Sequence, residues 1–368
     1  MTTRTAEPVT IARPAAPYAS GDRIGGRYEV LEAFGVGPLG TTYRARDPDG
    51  MAVAVKVLPT QLLNTPVEQQ GFLDAVTQNA RRTFEHVVPA IDAGLGASST
   101  VYIVSPWIYG VSLRRMLRAY RAAERQLAPD QVLGVLLGVA SALREFHTAS
   151  AHGALYPESI HITADAVVLA DAGLAAALPP ARLASQMEHH PDVLPYIAPE
   201  VRAGKRCNAG ADFYSFGALA SELLFGDAAL TAQAQVNLRA LEGSVGDQLR
   251  ALVGLQPARR LGAVQPLLDR LGALWSPASL PPYAPLPPPS AMNEARTRRV
   301  RSFVLRTVKV FTDDLKKQIA ERAAREDDGG AAKAPVIPEA ELIPIEIDLD
   351  EEGNEIVEVD ADEAEPVE

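Results

Sequence analysis

The chain has 368 residues, 47% of them hydrophobic and 22% charged, with a single cysteine and a formal net charge of -11. That length exceeds one ordinary domain, and that composition supports a full core, so a disulfide-framework miniprotein and a wholly disordered chain are both excluded. One cysteine, Cys207, forms no intramolecular disulfide and no thiolate metal cage, which fits a reducing compartment.

Residues 1–20 mix Thr, Ala, Pro and two Arg without the apolar core of a secretory signal, and they read as a disordered leader. Between residues 27 and 104 the apolar residues alternate or form short runs, at 28–34, 51–58 and 101–104. These predict strands, with a glycine-rich turn at Gly35-Val36-Gly37-Pro38-Leu39-Gly40. From 113 to 120 and from 129 to 147 the spacing turns helical, with Pro129 and Asp130 as a start signal. A strand-rich third before a helix-rich remainder predicts an α+β protein of two lobes, about 21–105 and 106–275. Residues 276–290 form a proline-rich linker, with seven prolines in the first fourteen positions, and predict an extended polyproline spacer.

Beyond the linker, Val300, Val304, Val308, Phe311, Leu315 and Ile319 place one apolar stripe on a basic helix within 291–326. The segment 327–368 is an acidic tail in which residues 343–349 and 356–359 have the alternation of a short hairpin. The charge is divided sharply. Residues 1–290 carry 24 Lys+Arg against 25 Asp+Glu, residues 291–326 carry 10 against 5, and residues 327–368 carry 1 against 16. The basic helix is expected to dock on protein, with an anionic membrane surface as the second option at 294–326 and pairing with the tail in cis as a third. Nucleic-acid binding lacks any aromatic interleaving or recognition motif and is not expected. No run of 18 apolar residues appears, so no transmembrane segment is expected and the reading is cytoplasmic.

The chemistry begins at the glycine-rich turn. Glycines at this spacing let backbone amides approach phosphate oxygens, although a plain hairpin turn uses them too. A strand rather than a helix follows, which argues against a dinucleotide-binding fold. Val53-Ala54-Val55-Lys56 then puts an ammonium inside an apolar strand, where an anion such as phosphate offsets its burial. The six histidines show no repeated metal-ligand spacing, and packing or solvent roles are expected for them.

With these features the chain resembles the bacterial serine/threonine protein kinases of eukaryotic type, over residues 27–275. The resemblance rests on motifs in order: the glycine turn; Lys56; a hinge-like Tyr102-Ile103-Val104-Ser105-Pro106-Trp107; His152-Gly153-Ala154-Leu155-Tyr156-Pro157-Glu158-Ser159 at the catalytic loop; and Asp171-Ala172-Gly173 at the metal-binding triplet. Tyr196-Ile197-Ala198-Pro199-Glu200, Asp212-Phe213-Tyr214-Ser215-Phe216-Gly217 and Arg260 complete the order.

The resemblance implies a bilobal kinase-like fold, ATP and Mg²⁺ as cofactors, nucleotide contacts at Gly35, Gly37, Gly40 and Lys56, and metal contacts at Asp171 and Ser159. It also exposes departures. The catalytic base position is Ala154, the loop lysine is Tyr156, and the second metal ligand is Ser159 in place of Asn. The N-lobe helix has Ala75 where a Glu pairs with the strand lysine, with Asp74 as a substitute on a shifted register. Val193 replaces a phosphorylatable Thr. Glu200, Arg260 and Asp212 keep the positions that brace the fold. The implied protein is a pseudokinase, a regulatory or scaffolding module with protein partners reached through the kinase-like domain and the C-terminal extension. The alternatives are an active kinase using Glu158 or Asp165 as a displaced carboxylate, and a protein-interaction module without nucleotide.

Overall fold

The computed structural model describes residues 17–123, 125–226, 243–275 and 277–281. The linker beyond 281, the helix within 291–326, the acidic tail and residues 1–16 lie outside them. The described residues divide into two compact units: one holds those up to Arg81 together with Ala90–Trp107, and the other holds Arg82–Pro89 and those from Ile108 onward.

The first unit is a six-stranded antiparallel sheet in the order β1-β2-β3-β4-β6-β5. Its strands are β1 (Arg23–Ile24), β2 (Tyr28–Gly37), β3 (Gly40–Arg46), β4 (Ala52–Val57), β5 (Asp92–Leu95) and β6 (Val101–Pro106). The three apolar runs read from the sequence are β2, β4 and β6. Alternation sets their faces: Tyr43 and Ala45 on β3 and Val53, Val55 and Val57 on β4 are buried, while the residues between them are not. Helix α1 (Pro66–Ala80) starts on a capping box in which Thr65 Oγ1 accepts the Glu68 amide and the Glu68 carboxylate accepts the Thr65 amide.

Two sequence boundaries are corrected here. Residues 17–20 are not leader, because the Tyr18 amide donates to the Tyr43 hydroxyl at 3.3 Å and the two rings meet edge to face. Residues 82–89 do not belong with the strands. Leu169 donates its amide to the His86 carbonyl and accepts the Val88 amide, both at 2.9 Å, which fastens this segment to the helical unit.

The second unit packs α2 (Leu113–Ala122), α3 (Pro129–Phe146), α4 (Leu174–Ala177), α5 (Pro180–Glu188), α6 (Pro199–Arg202), α7 (Ala209–Phe225), α8 (Gly243–Leu252), α9 (Pro257–Arg260) and α10 (Val264–Trp275) with a small sheet. That sheet runs β7 (Val111–Ser112), β8 (Ile160–Ile162), β9 (Val167–Leu169). Its core gathers Leu133, Leu136, Val139 and Leu143 of α3 with Phe216, Leu219 and Ala220 of α7 and Leu267, Leu268 and Leu271 of α10. Helix α10 ends at Trp275, but residues 277–281 continue against the helical unit, so the packed chain extends past the boundary near 275 and into the predicted linker.

Candidate functional site

In the first unit the glycine-rich turn is the tip of the β2–β3 hairpin, where Gly37 pairs with Gly40. The three glycines differ in kind. Gly40 has φ +121°, and a Cβ there would lie 2.0 Å from the Val57 carbonyl oxygen, so the fold itself demands glycine. Gly35 and Gly37 have no positive φ, and a Cβ on either would meet nothing within 4 Å. Internal packing therefore does not explain them. Lys56 sits on β4 between Thr42 of β3 and Ile103 of β6, on the face opposite buried Val55 and Val57. On α1, Ala75 is half-buried, and Asp74 is exposed with its carboxylate accepting from Gln70 at 2.8 Å.

In the second unit Asp212, fully buried on α7, organises the loop. Its Oδ2 accepts the His152 amide at 2.7 Å and its Oδ1 the Gly153 amide at 2.8 Å, while His147 Nε2 lies 2.8 Å from Oδ2. His152 is buried too, with Nε2 3.0 Å from the Ala170 carbonyl, and burial pushes its pKa down. Gly153 has φ +87°, and a Cβ there would come within 2.7 Å of the Ala176 amide nitrogen on α4.

The chemical positions follow. Ala154 is 1% exposed and presents a methyl group. Tyr156 is buried, and burial, followed by the nearby charges of Asp171 and Glu158, drives its phenol well above the ordinary range. Ser159 is buried with its hydroxyl donating to the Tyr156 carbonyl at 2.9 Å and accepting the Tyr156 amide at 3.2 Å, so it closes the loop on itself. Asp171 adopts φ +61°, a left-handed conformation uncommon for a residue with a side chain, and the Gly173 amide donates to the His152 carbonyl at 3.1 Å. Glu158 accepts from Arg114 Nε at 3.0 Å through Oε1, and its Oε2 is covered without a hydrogen-bond partner among the described residues. Asp165 lies exposed in the turn between β8 and β9.

The bracing groups meet as well. Arg260, fully buried, grips Glu200 with both terminal nitrogens, at 2.5 and 3.1 Å. The segment between Asp171 and Ala198 is anchored by apolar side chains, with Leu178, Leu183, Met187 and Val193 all buried.

Two clusters were not legible in the sequence. Arg114 donates through Nη1 to Glu222 at 2.9 Å and through Nη2 to the Tyr196 hydroxyl at 3.0 Å. Arg121 reaches the same Glu222 oxygen at 2.8 Å, and Tyr196 donates to the other Glu222 oxygen. Burial opposes the charge on Arg114, but Glu222, Tyr196 and Glu158 together hold the guanidinium firmly ionised. The second cluster is Glu85, His86 and Glu145, whose ligand atoms lie within 4.8 Å of one another. Glu145 already accepts from the Glu85 and His86 amides at 3.1 and 3.2 Å, and its Oε1 lies 2.6 Å from His86 Nδ1. Both clusters join residues tens of positions apart, with no local motif to announce them.

Comparison with known proteins agrees with this arrangement. The family model described as "Protein tyrosine and serine/threonine kinase" matches residues 29–244. A probable serine/threonine-protein kinase of Streptomyces coelicolor is 31% identical over 209 residues, which are 55% of this chain and 30% of that protein. Serine/threonine-protein kinase PknE of Mycobacterium tuberculosis is 30% identical over 204 residues, 55% of this chain and 35% of that one. The match thus spans about a third of these relatives. Among solved structures, a cysteine-to-alanine variant of the Mycobacterium tuberculosis PknI kinase domain superposes with TM-score 0.56 at 22% identity, covering 70% of this chain and 98% of that domain. The β-rich and helical units are the two lobes of that fold, and the chain belongs to the protein tyrosine and serine/threonine kinase family, with bacterial serine/threonine kinases among its relatives.

Proposed function

We propose that this chain is a pseudokinase, a regulatory or scaffolding protein that keeps the kinase fold and a nucleotide-binding loop but does not transfer phosphate. The observation that carries the reading is the state of the catalytic loop. Asp212 holds the amides of His152 and Gly153 in place, yet the next residue, Ala154, offers a methyl group where a carboxylate would orient and deprotonate a substrate hydroxyl. Losing general-base assistance alone costs about 10²- to 10⁴-fold in rate. The buried phenol of Tyr156 supplies no cation for a transferring phosphoryl group. Glu158 is engaged by Arg114, and Asp165 sits in an exposed turn, so neither supports the active-kinase reading.

Gly35 and Gly37 fit a nucleotide, since no side chain or neighbouring atom crowds their Cβ positions at the hairpin tip. Lys56 would add a positive charge. Of the two metal positions, Asp171 is the one suited to Mg²⁺, because the Ser159 hydroxyl is engaged on both sides by Tyr156. Bound Mg²⁺-ATP would supply a charged ligand that biases the protein toward one conformation, and the output would pass to protein partners in the cytoplasm. Among the described residues no helix is long and apolar enough to cross a membrane.

The test is phosphoryl transfer from γ-labelled ATP with Mg²⁺ or Mn²⁺ to generic protein substrates. Background incorporation is expected; robust incorporation abolished by Lys56→Met would overturn the proposal. Thermal shift then separates a nucleotide-binding pseudokinase from a nucleotide-free module. ATP at 100 times its dissociation constant adds about 2.7 kcal/mol of stability, and a folded protein with no shift at millimolar ATP is the nucleotide-free module.

A further inference from the structure

Helix α3 carries two glycines in its interior, Gly134 and Gly138, each about 1 kcal/mol worse than alanine in a helix. A conformational reason is absent, since neither has positive φ. Close approach explains both. A Cβ on Gly138 would lie 2.6 Å from the Val167 side chain of β9, which packs against this helix. A Cβ on Gly134 would lie 1.8 Å from the Ser279 carbonyl oxygen and 2.7 Å from its carbonyl carbon. The residue that approaches Gly134 belongs to the proline-rich segment, which the sequence predicts to be an extended polyproline spacer.

That segment is fastened at several points. The Ser279 amide donates to the Asp130 carbonyl at 3.1 Å, and the Ser279 hydroxyl donates to Asp130 Oδ2. Leu280 packs against the helical core, and Pro281 is buried. Asp130 and Gly134 are four residues apart and so share one face of α3. Leu137, one turn further on, is 41% exposed on its apolar side chain. An extended chain rich in proline suits such a face, because it has few amide hydrogens to satisfy and is already ordered before it binds. Here the Ser279 amide finds the Asp130 carbonyl.

We propose that the Asp130–Gly134 face of α3 is a binding site for extended proline-rich segments with a Ser-Leu-Pro core, held in the resting chain by residues 277–281 in cis. The site fixes the point at which the C-terminal extension leaves the helical unit. It also hides a face that accepts the same kind of segment in trans once the cis copy is displaced. Ser279 is only four residues beyond Trp275, and so short a tether gives a millimolar effective concentration. A free peptide with a dissociation constant near 0.1 mM would therefore be outcompeted about 10-fold or more. This proposal is independent of whether nucleotide binds.

The experiment uses the full chain and a fluorescein-labelled peptide of residues 276–290, with binding followed by anisotropy. In the chain carrying Ser279→Pro and Leu280→Asp, which empties the face, the peptide is expected to bind at least about 10-fold more tightly than to the unaltered chain. Adding Gly134→Leu, which fills the space of the Ser279 carbonyl, is expected to abolish that binding. Should the Gly134 variant fail to fold, Asp130→Ala in the emptied chain removes the hydroxyl contact from an accessible position and is expected to weaken binding several-fold. Equal binding by emptied and unaltered chains, or binding indifferent to both α3 substitutions, would overturn the proposal.

Discussion

Replacing Arg260 by leucine tests whether the helical unit is braced as its geometry implies. A guanidinium has five N–H donors, and at Arg260 each is used. Nε donates to the Gly254 carbonyl at 3.1 Å, Nη1 to Glu200 Oε1 at 2.5 Å and the Gly210 carbonyl at 3.0 Å, and Nη2 to Glu200 Oε2 at 3.1 Å and the Gly254 carbonyl at 2.8 Å. The group is fully buried and lies 5.1 Å from the centre of the Tyr214 ring. Leucine removes every donor and strands the Glu200 carboxylate, whose side chain is 11% exposed. Breaking a buried pair from one side costs about 3–5 kcal/mol. At about 2–4 °C per kcal/mol for a domain of this size, the melting temperature should fall by roughly 6–20 °C. Urea unfolding monitored by circular dichroism and by the fluorescence of Trp107 and Trp275 measures the loss. Most of it should be the stranded charge, so adding Glu200→Gln to Arg260→Leu should recover part of the stability. A loss below about 1 kcal/mol, or no recovery in the double variant, would refute the argument that this pair holds the unit together.

The remaining predictions address the loop, the thiol and the 82–89 segment. Gly40→Ala should destabilise the first unit by more than about 2 kcal/mol, because its Cβ meets the Val57 carbonyl and its φ is left-handed, whereas Gly35→Ala should leave the unfolding midpoint unchanged. Any ATP-dependent thermal shift should shrink in Gly35→Ala, and a stability loss equal to that of Gly40→Ala would contradict the distinction. The Cys207 thiol is pushed up to about 12, by burial first and then by the Asp212 charge. It should react with a disulfide reagent at pH 8 at least a hundred-fold more slowly in the native protein than in denaturant, since only the thiolate attacks. Burial pushes the Glu145 carboxyl up, but the His86 ring and the His86 and Glu85 amides outweigh it and hold the pKa below the ordinary carboxylate value. The stability Glu145 contributes is therefore complete above the ordinary carboxylate range and is lost as pH falls through the depressed pKa. Glu145→Gln should consequently lower stability at pH 7 and converge with the parent chain in strong acid, which acid unfolding curves of the two would reveal.

The parts of the fold that the sequence discloses are those with local causes. Alternation along β4, the continuous apolar run of β6 and the proline-opened helix α3 are patterns within a single segment. The loop clamp was also accessible, since Asp212 and the His152-Gly153-Ala154 stretch each carry a recognisable motif. What escaped has long-range causes. Residues 82–89 have no periodicity of their own, and their place depends on Leu169 and Glu145, far along the chain. Glu222 is one acid on an otherwise apolar helix face, and its meaning appears only when Arg114, Arg121 and Tyr196 converge on it. Gly134 did leave a trace, as a glycine in a helix interior without a turn to justify it, but the partner that explains it is some 145 residues away.

The presence of the clamp beside Ala154 has an energetic explanation. Asp212 is buried and accepts from two loop amides and the His147 ring, so removing it would leave those donors without a partner in the interior. Its place in the fold does not depend on whether phosphate is ever transferred. Ala154 stands in the opposite position. At 1% exposure, a carboxylate there would have to be desolvated, and without a bound metal or substrate to pair with it that burial is unfavourable, whereas a methyl group asks for no partner at all. Tyr156 follows the same rule, an aromatic ring filling buried space that a lysine would have to enter charged or neutralised. On the pseudokinase reading proposed above, groups with a second role in stability, such as Asp212, would be kept, and positions whose only role is chemistry would be free to hold side chains that pack.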